Sequence, residues 1–160
     1  MCRKGLFLLC LCLLTVSCSM SDDAEDDTVE RVHVGDHVPL FSIDIEADGV
    51  HKRFSTTQLT GETVIVLFNT SCSDCQRELP RLNEYYLQHR ADEGFEMVAI
   101  SREEGEESVA AFWKEYNLSI PYFPQTDRRI YNLFATSLIP RVYYVSPEGI
   151  ITHVFIETWQ

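Results

Sequence analysis

Cys72 and Cys75 are the residues best placed to do chemistry in this chain. They stand three apart in Cys72-Ser73-Asp74-Cys75, directly after the apolar run Val64-Ile65-Val66-Leu67-Phe68 and ahead of a helical pattern. That order puts Cys72 at a strand-to-helix turn, beside unpaired backbone N–H groups and the positive end of the helix dipole. Both favour the thiolate, the reactive form of cysteine, so the pair reads as a redox centre. A CxxC can also hold zinc, but a tetrahedral site needs four ligands. No second Cys pair exists for it, and His33 and His37 flank Gly35 in an extended context far from the CxxC in sequence. No metal is expected.

Counting the other cysteines sharpens this. The chain has six. Arg3 and Lys4 precede an apolar run, Leu6 to Val16, and then Ser17-Cys18. A basic segment, an apolar one and a small residue mark a secretory signal. The run falls short of the roughly 20 apolar residues that span a bilayer. Small residues before Cys18 resemble a bacterial lipobox, with Thr15 where Leu is usual, so Cys18 is expected to carry lipid. Cys2, Cys10 and Cys12 would leave with residues 1–17. Only Cys72 and Cys75 then remain as thiols, which excludes a disulfide-rich scaffold.

The formal charge is −12, and losing Arg3 and Lys4 with an acid-free signal makes it −14. Nucleic-acid binding rests on Lys and Arg at phosphates, and no basic cluster offsets this charge, so no nucleic-acid partner is expected. Residues 18–31 carry Asp22, Asp23, Glu25, Asp26, Asp27 and Glu30 and read as a lipidated, solvated acidic tether. Acids behind a lipidated cysteine resemble surface lipoproteins of Bacteroidetes, and Asp27-Thr28-Val29 resembles that group's O-glycosylation motif. Residues 32–160 are one domain, since 160 residues suffice for one core and not for two.

These residues must be positioned by a sheet. Val38 to Ile45 and Val50 to Phe54, joined by Asp48-Gly49, read as a hairpin. Ser55 to Leu59 reads as a helical turn. Val64 to Phe68 reads as a strand buried on both faces. Cys75 to His89 is a predicted helix, kinked at Pro80. Phe95 to Ile100 is a strand. Glu106 to Tyr116 is a helix with Val109, Phe112, Trp113 and Tyr116 on its core face. Ile120 to Pro124 is extended, and Asp127 to Phe134 is a short helix with Asp127 as N-cap. Arg141 to Val145 and Ile150 to Ile156 close as a strand pair around Pro147-Glu148-Gly149. Strands alternating with helices argue an α/β sheet, and the last pair makes it partly antiparallel.

With these marks in place, the chain resembles thioredoxin-like proteins of the bacterial envelope, of the TlpA/ResA type. The match runs from about Gly35 to Ile156, through Pro39, Phe41, Asp48-Gly49, Leu59, Gly61, the CxxC, Glu78, Pro80, Ile139-Pro140 and Pro147-Glu148-Gly149. It implies a thioredoxin fold, a central mixed sheet flanked by helices, with an N-terminal β-hairpin extension. It also implies that Cys72 attacks and Cys75 resolves a mixed disulfide, that Pro140 is a cis-proline facing the pair, and that Glu78 accepts a proton from Cys75. Substrate would then meet Ser71, Ser73, Asp74, Ile139 and Arg141. No cofactor beyond the redox-active Cys72–Cys75 disulfide is implied.

The chain departs from the family pattern in four places. Ser71 replaces a bulky residue, and Val66 stands where cytoplasmic thioredoxins have a buried acid. Arg141 follows Pro140 where Thr is common, adding a cation that would approach the thiolate or a substrate carboxylate. Gln160 ends the given sequence four residues past the last strand, so the usual C-terminal helix is expected to be missing; either a partner or a second copy covers that face, or the chain is truncated. With no His or Lys between the cysteines and with Asp74 and Glu78 opposing the thiolate, the centre is expected to be reductase-leaning. Its partners would be protein thiols and disulfides and a membrane electron donor, met in the cell envelope on a lipid anchor. The competing readings are a peroxiredoxin-like peroxidase and a redox-inactive thioredoxin-fold adaptor.

Overall fold

The computed structural model describes residues 30–47 and 49–160. The signal, Cys18, most of the tether, Asp48 and the Asp27 motif lie outside the described residues. Ten elements follow in order: β1 (Ser42–Ala47), β2 (Val50–Ser55), β3 (Thr63–Phe68), α1 (Ser73–His89), β4 (Glu96–Ser101), α2 (Glu106–Glu115), β5 (Tyr122–Phe123), α3 (Tyr131–Phe134), β6 (Arg141–Val145) and β7 (Ile151–Ile156).

β1 and β2 form the expected hairpin as a separate two-stranded antiparallel sheet. The other strands form one mixed sheet in the order β5-β4-β3-β6-β7. β3 pairs in parallel with β4 and antiparallel with β6. Its β-branched and aromatic residues are buried along the whole strand, as a central strand covered on both faces requires.

Ring contacts show what covers each face. Val64 lies opposite Tyr144, and alternation puts Val66 and Phe68 on the same side. There Phe68 meets Trp113 of α2 at 5.0 Å, and Tyr144 meets Tyr85 of α1 at 6.0 Å. Helices α1 and α2 therefore share this face, tied by Asn83 Oδ1, which accepts from Ser119 N and Ile120 N at 2.6 and 3.2 Å. On the other face Phe134 of α3 packs on Tyr143 at 4.7 Å, then on Phe41, which packs on Phe54 of the hairpin. The hairpin is thus the second layer of the core.

Several boundaries move, each for a local reason. β1 starts at Ser42 rather than Val38, because Pro39 lacks an N–H to pair. α1 starts at Ser73 rather than Cys75, because Cys72 caps it. The helix expected from Asp127 is only Tyr131–Phe134, preceded by a turn in which Asp127 Oδ1 accepts from Arg129 N at 2.9 Å. Gly61 and Gly94 allow the crossing beneath β3 and β4: a Cβ on Gly61 would sit 2.5 Å from the Gly94 carbonyl.

The face expected to be bare beyond β7 carries its own cover. Residues 157–160 have no regular structure, yet the Trp159 ring meets Tyr85 at 5.5 Å and its Nε1 donates to the Tyr144 hydroxyl at 3.0 Å. Arg81 lies over the same ring and donates to the Trp159 carbonyl at 2.9 Å. One large aromatic side chain thus covers Tyr144 of β6 beside α1.

Candidate active site

The site forms where the C-terminal ends of β3 and β4 meet the start of α1, the place where open α/β sheets leave a crevice. Cys72 is the N-cap residue of α1 with extended backbone (φ −83°, ψ 122°), and its Sγ accepts from Cys75 N at 3.4 Å. A sulfur thus takes the part a Ser or Asp oxygen usually plays, receiving an otherwise orphaned helix N–H. Both cysteines are free thiols, Cys72 partly exposed and Cys75 fully buried. Burial pushes the Cys75 thiol well above its ordinary value and Cys72 adds to the rise, while a backbone contact with Asn69 and the charge of Arg102 pull back. One sulfur is reachable and capped by a helix; the other is sealed and held protonated.

The turn before Cys72 is fixed by residues that sequence reasoning missed. Glu104, beyond the end of β4, accepts from Thr70 N at 2.7 Å and from the Thr70 hydroxyl. Asn69 Oδ1 accepts from Ser71 N and Ser71 Oγ at 2.9 and 2.5 Å, and Asn69 Nδ2 donates to the Arg102 carbonyl at 2.9 Å. Position just past a parallel strand's C-terminal end was the available signal for Arg102 and Glu104. Arg102 Nε is buried without a hydrogen-bond partner, its guanidinium stacked on Tyr131 at 5.0 Å.

The opposite wall is the Ile139–Pro140 loop, whose peptide bond is cis. Cys72 Sγ lies 3.5 Å from the Ile139 carbonyl oxygen, to which the thiol can donate. The Ile139 side chain is buried, so this residue faces the sulfur through its backbone. Ser71 and Ser73 are exposed beside Cys72, as a substrate-facing surface requires.

Three acids and one base near the site are held in ion pairs. Asp74 pairs with Arg77 at 2.6 Å. Glu78 is fully buried, its two oxygens held by Arg77 Nε at 2.8 Å and Arg81 Nη1 at 2.7 Å. Each carboxylate charge is met by an arginine, which offsets its repulsion of a Cys72 thiolate. Arg141 does not reach toward the thiolate or a substrate: it is fully buried, with its Nη1 2.6 Å from both oxygens of Glu30. Glu30 correspondingly leaves the solvated tether and joins the fold, bridging to Ala135. The reason is electrostatic, since a guanidinium buried in β6 needs a counter-charge.

A dithiol at a helix N-terminus, facing a cis X-Pro loop on a mixed five-stranded sheet, defines a thioredoxin-fold thiol-disulfide oxidoreductase. Residues 34–154 match the AhpC/TSA family, and the chain belongs to it. Its curated relatives include the thiol-disulfide oxidoreductase ResA of Bacillus subtilis (strain 168), 27% identical over 157 residues, covering 98% of this chain and 84% of that protein. ResA of Oceanobacillus iheyensis is 29% identical over 155 residues, covering 94% and 78%. Among solved structures, a candidate protein disulfide isomerase from Bacteroides thetaiotaomicron superposes with a TM-score of 0.73 at 23% identity, covering 81% of this chain and 82% of the other. StoA from Bacillus subtilis gives 0.59 at 18% identity, covering 74% and 90%. The structural matches show the fold.

Proposed function

We propose that this protein exchanges disulfides with extracytoplasmic protein substrates through Cys72 and Cys75. The carrying observation is the asymmetry of the two sulfurs: Cys72 is accessible and caps α1, while Cys75 is buried directly behind it. As a reductase, the Cys72 thiolate attacks one sulfur of a substrate disulfide. A Cys72–substrate bond forms, and the other substrate sulfur leaves as a thiolate that takes up a proton. Cys75 then loses its proton and attacks Cys72 Sγ, closing the Cys72–Cys75 disulfide and releasing the second substrate thiol. Two electrons pass from the dithiol to the substrate, so a membrane electron donor must restore them.

Pro140 leaves the backbone at Ile139 free to pair with an extended substrate segment. Glu78, close in sequence to Cys75, is the candidate to steer its proton, with Arg77 and Arg81 holding it in place. The centre leans toward reduction: no cation lies between the cysteines, and burial holds the Cys75 thiol protonated. A strong oxidant needs a reduced form stabilised as thiolate. Equilibration with glutathione tests this, and a potential as oxidising as about −120 mV would overturn the lean.

The protein acts in the cell envelope, anchored through lipid on Cys18, on the strength of the signal and tether patterns. Among the described residues no helix is long and apolar enough to cross a membrane. A peroxidase of the peroxiredoxin class would need Thr and Pro three and seven residues before its cysteine, where Asn69 and Ile65 stand. The deciding experiment is trapping with Cys75→Ala in the native host. Covalent adducts with client proteins are expected; none above a Cys72→Ala control would sink the exchange mechanism.

A further inference from the structure

Arg141 lies opposite Leu67 in the β3–β6 register, so its side chain points to the α3 face, beneath the loop that carries Ile139. Its Nε donates to the Ser137 and Leu138 carbonyls at 2.9 and 3.1 Å, and its Nη2 to the Ser137 carbonyl at 2.6 Å. Leu138 has a left-handed backbone (φ 64°), so the chain turns here above a cation that gathers its carbonyls. The Tyr131 hydroxyl adds a donor to the Leu138 carbonyl at 2.8 Å. The remaining Arg141 nitrogen is taken by both oxygens of Glu30 at 2.6 Å. Glu30 is itself clipped to the same loop: it bridges to Ala135, and Arg31 N donates to the Phe134 carbonyl at 2.9 Å. One buried guanidinium thus joins two successive loop carbonyls to the segment that enters the fold at Glu30. The next residue after those carbonyls, Ile139, presents its own carbonyl 3.5 Å from Cys72 Sγ.

We propose that Arg141 is a positioning residue for disulfide exchange, with Glu30 as the counter-charge that holds it in place. This rests on the reading that Cys72 attacks disulfides in extended protein segments lying against Ile139. A guanidinium suits the task because its planar fork serves a carboxylate and two carbonyls at once, which an ammonium cannot. Removing either partner frees the loop backbone to shift, and displacement of a substrate-aligning group by about 1 Å costs as much as a hundredfold in rate. The Cys72 backbone is held independently of this loop, by α1 and by the turn that Asn69 and Glu104 fix.

Two substrates separate these effects. The full-length reduced protein is given insulin, whose disulfides sit in backbone that can pair at Ile139, and dithionitrobenzoate, a small aromatic disulfide with no backbone. For Glu30→Gln and Arg141→Met, the single-turnover second-order rate constant with insulin is expected to fall about tenfold, while that with dithionitrobenzoate moves by less than about twofold. Arg141→Lys keeps a charge for Glu30 but cannot span both carbonyls, and is expected to show the same selective loss. Rates that fall in parallel on both disulfides, or on neither, would overturn the proposal. Should Arg141→Met lose its near-ultraviolet dichroism, Glu30→Gln carries the test, because it keeps the side-chain shape. Wild-type protein that reduces neither disulfide would overturn the exchange reading and this inference together. An active wild type with unselective variants overturns the inference alone.

Discussion

The two walls of the dithiol site are held by opposite means. On one side Cys72, Cys75 and Glu78 sit within two turns of α1, and their placement follows from short-range rules: the sulfur caps the helix, and Glu78 pairs with Arg77 and Arg81 one and three residues away. On the other side the Ile139–Pro140 loop is tied by near neighbours whose charge depends on a distant partner. Its carbonyls are held by Arg141 from β6 and Tyr131 from α3, and the cation by Glu30, 111 residues away in sequence. The α1 wall can be moved by changing the helix; the loop wall can be moved only by changing the core. A reactive sulfur can therefore be kept constant while the surface that selects its substrate varies.

The sharpest break is chemical. Cys72→Ala should abolish disulfide exchange, with insulin reduction at the uncatalysed level, because Cys75 is buried and cannot replace it. Next comes the loop wall. Arg141→Met removes one partner of a buried pair and strands the Glu30 carboxylate, and it should lower the unfolding free energy by about 3 kcal/mol or more in urea. Replacing both, as Glu30→Leu with Arg141→Met, should recover a large part of that loss, since apolar substitutes for a buried pair are often neutral.

The α1 wall depends on distance in one place, and Glu104→Ala isolates it. The Thr70 backbone N–H and hydroxyl lose a charged acceptor, which should cost about 2 kcal/mol by the same measurement. It should also slow Cys72 toward small and protein disulfides alike, unlike the Arg141 variants.

Alkaline pH probes the sealed sulfur. The unfolded Cys75 thiol ionises near its ordinary 9.0, whereas burial keeps the folded one protonated. Unfolding above that pH therefore releases a proton, so stability falls as pH rises through 9 and beyond. Between pH 9 and 10 the reduced protein should lose roughly 1 kcal/mol more than Cys75→Ala does, measured by urea unfolding at each pH. Equal slopes would mean that Cys75 is open to solvent. The smallest effect belongs to Arg53→Ala in the hairpin: the Arg53–Asp44 pair, 3.4 Å apart and largely exposed, should contribute less than about 0.5 kcal/mol.

The sequence by itself settled what local physics settles. The apolar run of β3, the cysteine spacing and the following amphipathic pattern place the dithiol at a strand–helix turn, because helix caps and strand burial are read over a few residues. The hairpin turning at Gly49 and the β3–α1–β4 order were legible for the same reason. Charges were not. Arg141 looked like a cation for the substrate and Glu30 like part of a solvated tether, since nothing in the order of residues says that they meet. Asp127 had the right type for a helix cap and its oxygen accepts from Arg129 N, yet the helix began only at Tyr131. Trp159, three residues beyond the predicted last strand, became a cover for Tyr85 and Tyr144. Which charges neutralise one another is decided by desolvation once the core has closed. Long-range pairing therefore belongs to the tertiary structure, and the reactive sulfur to the sequence.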